Sequence, residues 1–304
     1  MIGTAPQYIN WNYTYVCNLK CTHCYSRSPR YPKDLPNAQY VDIARQIVEN
    51  NVFAVGFGGG EPTLRKDFLE ILGILSSGGV DTHLTTNGTV LDKKYIQFLR
   101  EAELGTLLVS VDSHDRRLND QIRNKEGAFD LSCEVIRKSV ASGIRTLIAC
   151  VVNAKNFDEI KRMAELAINL GANGINLKLF RASGGAVQSK HLYELNDEQK
   201  QQLPNIISEI RASTSLDVET YQDTNNDSCS CGVTQLTVRP NGDVSLCPYS
   251  SHVIGNLTST SLKDLWKHSV ELQNRRNSEA PCLSAVSRTY PYNPAIPITE
   301  LRKC

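Results

Sequence analysis

Short β-like runs alternate with amphipathic helical windows from residue 38 to about 212, and no other feature constrains the fold so tightly. The predicted strands are Gln7–Tyr15, Val52–Phe57, Val80–Leu84, Thr106–Val111, Ile144–Val151 and Gly174–Phe180. Between them, Tyr40, Ile43, Ala44, Ile47 and Val48 repeat at helical spacing, as do Ile160, Met163, Ala164, Ala167 and Leu170. Leu203, Ile206, Ile207 and Ile210 form a third such stripe, and Gly143 and Gly171 stand at helix stops. Strands alternating with helices imply a parallel sheet with right-handed crossovers. Six units are too few to close an eight-stranded barrel, so the expected fold is α/β, a partial (β/α)6 TIM-like barrel.

After Asp217 the rhythm changes. Residues 218–231 read as a polar link, and Gln235–Leu246 reads as a hairpin turning at Asn241-Gly242. A short helix carries Leu262, Leu265 and Trp266, and Pro291, Pro294 and Pro297 imply an extended tail. The expected division is a barrel over 1–215 and a small C-terminal domain over 216–304.

Charge narrows the function classes. The 304 residues carry 33 basic and 32 acidic side chains, a formal +1. That balance argues against a nucleic-acid binder or a membrane-surface protein. Apolar runs are about six residues long, against the roughly 18 a bilayer span needs. No signal segment opens the chain, so a cytoplasmic location is expected. The anomaly is ten cysteines, bunched toward the two ends. Disulfide frameworks are usually small and lack an α/β rhythm, so a metal reading comes first.

Cys17, Cys21 and Cys24 lie just past the first strand, on the rim where a parallel barrel places its chemistry. Three thiolates can hold three irons of a [4Fe–4S] cube and leave the fourth iron open. A zinc knuckle is the other reading, but His23 is too tightly tethered to complete a tetrahedron with all three.

The stretch Cys17-Asn-Leu-Lys-Cys21-Thr-His-Cys24-Tyr25 resembles the three-cysteine loop of the radical S-adenosylmethionine (SAM) superfamily, with His23 at a position usually aromatic. The resemblance covers about residues 10 to 215. Gly58-Gly59-Gly60-Glu61-Pro62 is similar to the family's glycine-rich segment. It implies that Gly59 and Gly60 approach SAM closely, and that Glu61 supplies charge near its ammonium. Through the same resemblance His23, Tyr25, Ser110 and Asn153 are expected cofactor contacts. Arg123 is expected to pair with the SAM carboxylate, which a guanidinium fork matches.

A second resemblance, to the SPASM/twitch extension, covers the spacing from Cys231 through Gly242 to Cys247 and the segment Ile254 to Trp266. It implies one auxiliary [4Fe–4S] cluster, held by Cys229, Cys231, Cys247 and Cys282. A full SPASM domain has a dense cysteine run after the helix; this chain has only Cys282 and Cys304 there. Five cysteines therefore compete for four positions. The spare, with Cys229 as the candidate, is either a packed thiol or a hydrogen-atom donor to a substrate radical. Cys133 and Cys150 read as small hydrophobes, and Asp112, Lys178 and Arg181 as polar rim residues. His83, His114, His191, His252 and His268 lack ligand spacing.

The resemblance implies reductive cleavage of SAM to a 5′-deoxyadenosyl radical and removal of a hydrogen atom from a substrate C–H bond. The expected substrate is a ribosomally made peptide, crosslinked or epimerised, although a triplet starting at residue 17 leaves no room ahead of it for a leader-recognition domain. The alternative is an epimerase or dehydrogenase acting on a sugar or aminoglycoside; a non-catalytic metal module is the third class. A flavodoxin- or ferredoxin-type electron donor is the expected partner, with no nucleic acid and no membrane.

Overall fold

The six expected strands and the helices between them form in order. The protein is seen here as a computed structural model, which describes residues 4–27, 32–220, 231–250 and 252–274. The order is β1 (Tyr8–Thr14), α1 (Asn37–Glu49), β2 (Ala54–Gly59), α2 (Phe68–Ser77), β3 (Asp81–Thr86), α3 (Lys93–Glu101) and β4 (Thr106–Ser110). Then come α4 (Arg116–Arg123), α5 (Ala128–Ala141), β5 (Thr146–Val152), α6 (Ile160–Asn169), β6 (Gly174–Leu179), α7 (Lys190–Tyr193) and α8 (Asp197–Ser213). The last elements are β7 (Asp217–Thr220), β8 (Gln235–Val238), β9 (Asp243–Ser245), β10 (Gly255–Asn256) and α9 (Leu262–Asn274).

Strands β1 to β7 pair in parallel, each with the next, as right-handed crossovers require. The alternation of side chains then divides the molecule. On β1, Ile9, Trp11 and Tyr13 are buried against the helices, while Tyr8, Asn10 and Asn12 face the barrel interior. On β2 the outward residues are Val55 and Phe57, and the inward ones are Gly56 and Gly58. A closed eight-stranded barrel fills its interior with bulky branched side chains. Here small and polar ones leave it hollow. The helices cover the outside with the stripes read from sequence, α1 through Tyr40, Ile43, Ala44 and Ile47.

Two features depart from expectation. Residues 218–220, which read as the start of a polar link, instead belong to β7, which pairs with β6 from Gly174↔Asp217 to Leu177↔Thr220. Asp-Val-Glu-Thr is too short and too polar to carry a strand signal; the neighbouring edge imposes the conformation. The hairpin turns at Asn241-Gly242 as read, with Gly242 at φ +81°. Its first strand, however, lies parallel to β1, from Tyr8↔Gln235 to Trp11↔Val238. The sheet thus has ten strands in the order β10-β9-β8-β1-β2-β3-β4-β5-β6-β7.

Buried hydrogen bonds seat the C-terminal elements on α1. The Tyr40 hydroxyl lies 2.7 Å from the Tyr13 carbonyl and 2.9 Å from that of Pro240. Gln46 donates to the Leu257 carbonyl at 3.2 Å and accepts from the Leu262 N–H at 3.0 Å. Tyr40→Phe removes the shared hydroxyl from two buried carbonyls, of which that of Pro240 keeps the Leu35 N–H at 2.9 Å. It should cost about 1–3 kcal/mol in urea unfolding; a change below about 0.5 kcal/mol would show that water replaces it. Among the described residues no helix is long and apolar enough to cross a membrane. The expected extended tail lies outside the described residues.

Candidate active site

The cysteine loop hangs from the end of β1 and is pinned to the end of β2. Gly60 N–H donates to the Thr14 carbonyl at 2.6 Å, and Glu61 N–H donates to that of Val16 at 2.9 Å. This explains the glycines from the chain itself. A Cβ on Gly59, at φ +100°, would lie 2.5 Å from the Thr14 oxygen; one on Gly60 would lie 2.2 Å from the Val16 oxygen. Gly58 differs, because a Cβ there meets nothing within 4 Å and would project into open cavity. Gly60→Ala must therefore push away the strand leading into Cys17. Its expected signature is iron content reduced by half or more after reconstitution, with the circular dichroism spectrum retained; wild-type iron loading would refute it.

On the far side, Gly185 brings the loop after β6 against the cysteine loop. A Cβ on it would lie 2.3 Å from the Arg27 carbonyl and 3.0 Å from that of Cys24. Thr22 is also held there, by Ile122, Tyr193 and Ser189.

Glu61 does not stand where the sequence placed it. Its carboxylate is fully buried and absent from the cavity wall. Oε1 accepts from the Thr63 hydroxyl at 2.6 Å and the Thr86 hydroxyl at 2.9 Å, and Oε2 from the Asn87 N–H at 2.8 Å. Burial pushes its pKa up, against these bonds. The glutamate ties the end of β2 to the end of β3, because the glycine turn ahead of it points the side chain into the core. Asn87, so fixed, extends its amide to Cys17 Sγ at 3.8 Å.

A buried ion cluster lies under the loop. Asp112, fully buried beyond the end of β4, places Oδ2 2.8 Å from Arg123 Nη2 and 3.1 Å from His23 Nε2. Its Oδ1 accepts from the Val151 N–H at 2.9 Å. Burial alone would raise its pKa, but the Arg123 and His23 charges and the hydrogen bonds bring it down to about 2. Arg123 also touches Cys21 and keeps its Nε buried without a partner, as is Nδ1 of His23. One carboxylate thus orients both expected cofactor contacts.

The interior is a cavity of about 510 Å³, within the roughly 300–1,000 Å³ of ligand sites. Cys17, Cys21, Cys24, His23, Tyr25, Gly59, Gly60, Ser110 and Arg123 all line it. Asn153 does not: it is buried beyond β5, donating to the Val151 carbonyl and accepting from the Lys155 N–H. Its amide closes a local turn. The three thiols each have a donor or hydroxyl nearby: Leu19 N–H for Cys17 at 3.4 Å, Arg123 for Cys21, and the Ser26 hydroxyl for Cys24 at 3.4 Å. Burial pushes the Cys17 thiol up and that of Cys21 up to about 11, so ionisation calls for a bound cation. Among the described residues no three such side chains meet at one point, as a lone ion needs. A cubane asks instead for one thiolate at each of three corners, which suits thiols spread along a cavity wall.

The two described cysteines of the second set open onto the same cavity, which the sequence did not reveal. Cys231 and Cys247 line it, with Tyr249 packed edge-on against Tyr25 at 5.2 Å. Gln235 donates to Cys231 Sγ at 3.1 Å and accepts from Asn10. Cys229, Cys282 and Cys304 lie outside the described residues. Cys133 and Cys150 are buried in the core, as expected. Of the polar rim residues, Lys178 and Arg181 line the cavity and Asp112 does not.

The radical SAM superfamily model matches residues 11–167, and that of the SPASM iron–sulfur cluster-binding domain matches residues 229–285. The mycofactocin maturase MftC of Mycolicibacterium smegmatis is 28% identical over 293 residues, covering 91% of this chain and 74% of that protein. The sporulation killing factor maturation protein SkfB of Bacillus subtilis is 24% identical over 257 residues, covering 83% of this chain and 62% of that one. Among solved structures, Streptococcus suis SuiB bound to precursor peptide SuiA superposes with a TM-score of 0.73 at 19% identity, covering 95% of this chain and 68% of SuiB.

Proposed function

The chain belongs to the radical SAM superfamily, and on that premise we propose that it modifies a ribosomally synthesised peptide by crosslinking or epimerisation. It is an enzyme that uses S-adenosylmethionine, a [4Fe–4S] cluster and iron–sulfur binding in its C-terminal region. When bound, these groups supply the electron and the 5′-deoxyadenosyl radical that takes a hydrogen atom from a substrate C–H bond.

The protein's own part is placement and exclusion of water. In this reading Cys17, Cys21 and Cys24 hold the first cluster, and Gly59 and Gly60 let the loop close on β2. Arg123, oriented by Asp112, takes the SAM carboxylate, while His23, Tyr25 and Ser110 complete the cofactor's walls. Cys231 and Cys247 supply ligands of an auxiliary cluster, with Cys229 and Cys282 proposed from sequence as the others. The observation that carries the proposal is the cavity lined both by Cys17, Cys21 and Cys24 and, among the described residues of the second set, by Cys231 and Cys247. A substrate there lies within reach of both centres. The peptide assignment draws support from the maturases and from the likeness to SuiB, whose structure holds a precursor peptide.

We assign residues 1–215 to SAM chemistry and 216–304 to the auxiliary centre. A flavodoxin- or ferredoxin-type donor supplies electrons, in the cytoplasm, where thiols stay reduced. Anaerobic reconstitution tests the reading. It should give about eight irons per chain, as two cubanes require, and 5′-deoxyadenosine release stimulated by a short peptide encoded next to this protein. Stimulation by a sugar or aminoglycoside instead would overturn the peptide assignment; stoichiometric zinc without SAM cleavage would overturn the enzyme.

A further inference from the structure

Gln235 joins the second cysteine set to the barrel. It opens β8, is buried, and lines the cavity together with Cys231 and Asn10. A buried amide is unfavourable unless its polar atoms are met, and both ends of this one are. Nε2 donates to Cys231 Sγ at 3.1 Å, and Oε1 accepts from Asn10 Nδ2 at 3.3 Å. The two contacts agree on which way the amide points. A thiolate only accepts and so selects the nitrogen end, while the Asn10 amide hydrogens select the oxygen end.

The local backbone holds its shape by other means. The Gly232 N–H donates to the Gln235 carbonyl at 2.8 Å, closing the turn after Cys231, with Gly232 at φ +74°. Strand β8 is held by its ladder with β1, from Tyr8↔Gln235 to Trp11↔Val238. What the side chain adds is a donor aimed at a sulfur. Hydrogen bonds to a charged acceptor are about twice as strong as neutral ones. Around an iron–sulfur centre, those made to the ligand sulfurs help to set its reduction potential. Reduction adds negative charge that the sulfurs share, so a donor favours the reduced form.

We propose that Gln235 is a positioning residue that tunes the auxiliary centre. Its amide, aimed by Asn10, donates to the Cys231 thiolate and raises the centre's reduction potential. The proposal rests on the reading of Cys231 as an auxiliary-cluster ligand and adds to it what surrounds that ligand.

The full-length chain with Cys17, Cys21 and Cys24 all changed to alanine isolates the auxiliary centre for the test. Reconstituted anaerobically, this parent should hold about four irons, and EPR follows its one-electron reduction by dithionite against potential. Adding Gln235→Met keeps the volume and removes the donor. The four irons should stay, while the reduction equilibrium moves about tenfold toward the oxidised form, a shift of about 59 mV to lower potential. A purely structural role for Gln235 would leave that potential where it was. Should methionine cost the chain its iron, Gln235→Asn decides by the same criterion, because its amide is one methylene too short to reach the sulfur. An equilibrium within about twofold of the parent's overturns the proposal, as does a shift to higher potential. About four irons with an unmoved potential overturn this proposal alone; a parent that binds no iron overturns the auxiliary-ligand reading beneath it as well.

Discussion

Changing Cys17, Cys21 or Cys24 to alanine, one at a time, should bring 5′-deoxyadenosine release to background, a loss of roughly 10³-fold or more. About four irons should be lost and about four kept, because the auxiliary set has its own ligands. The loop thiols line a cavity instead of the core, and Cys17 is exposed, so the fold should survive each change. Cys133→Ala gives the opposite pattern. Its thiol packs in the core, and its removal should lower the melting temperature while iron and SAM cleavage stay near normal. Cys304→Ala should also leave iron near normal. Retained SAM cleavage in any loop variant would remove the three-cysteine assignment; loss of four irons with Cys304 would make that residue a ligand.

Asp112→Asn should be the most damaging substitution outside the cysteines. The amide keeps the shape but removes the charge, leaving Arg123 buried beside His23 without an anion. Breaking a buried pair in this way typically costs about 3–5 kcal/mol. Urea unfolding of the apoprotein measures it, and a loss below about 1 kcal/mol would show that the cluster is not an ion pair of consequence. The pH dependence has a definite sign. The native carboxyl is held down, at about 2 against an ordinary 3.8. Its contribution to stability is therefore fully present above pH of about 4 and is lost as pH falls toward 2. The variant should lack this portion of the acid-unfolding profile. SAM binding gives a second readout: a misdirected Arg123 should weaken it by about tenfold or more, and unchanged affinity would mean that Arg123 does not serve the cofactor.

The strands and helices were legible because each carries its own period, alternating on β1 and helical on α1. The hollow interior was implicit in the same alternation, since Tyr8, Asn10, Asn12, Gly56 and Gly58 occupy the inward positions. What local pattern does not encode is where a side chain turns. The glycine-rich stretch located the loop but suggested that Glu61 faces the cofactor; its rotamer sends it into the core, where four donors meet it. The glycines proved necessary for a reason invisible in sequence, the carbonyls of Thr14 and Val16. Asn153 read as a strand-end contact and is a turn cap. Partners distant in the chain were also illegible. Nothing near residue 235 says that β8 lies beside β1, or that Cys231 opens onto the cavity that holds Cys17.

That pairing bears on the order in which the molecule can be made. Asn10 and Gln235, hydrogen-bonded across β1 and β8, are 225 residues apart. β1 therefore waits for its partner β8 until about 220 further residues have been made, and closing so long a loop is entropically slow. Until then the cysteine loop at the end of β1 hangs from a half-finished sheet. A nascent chain stalled before residue 235 would offer a bare edge on β1, beside the loop that carries the three thiols.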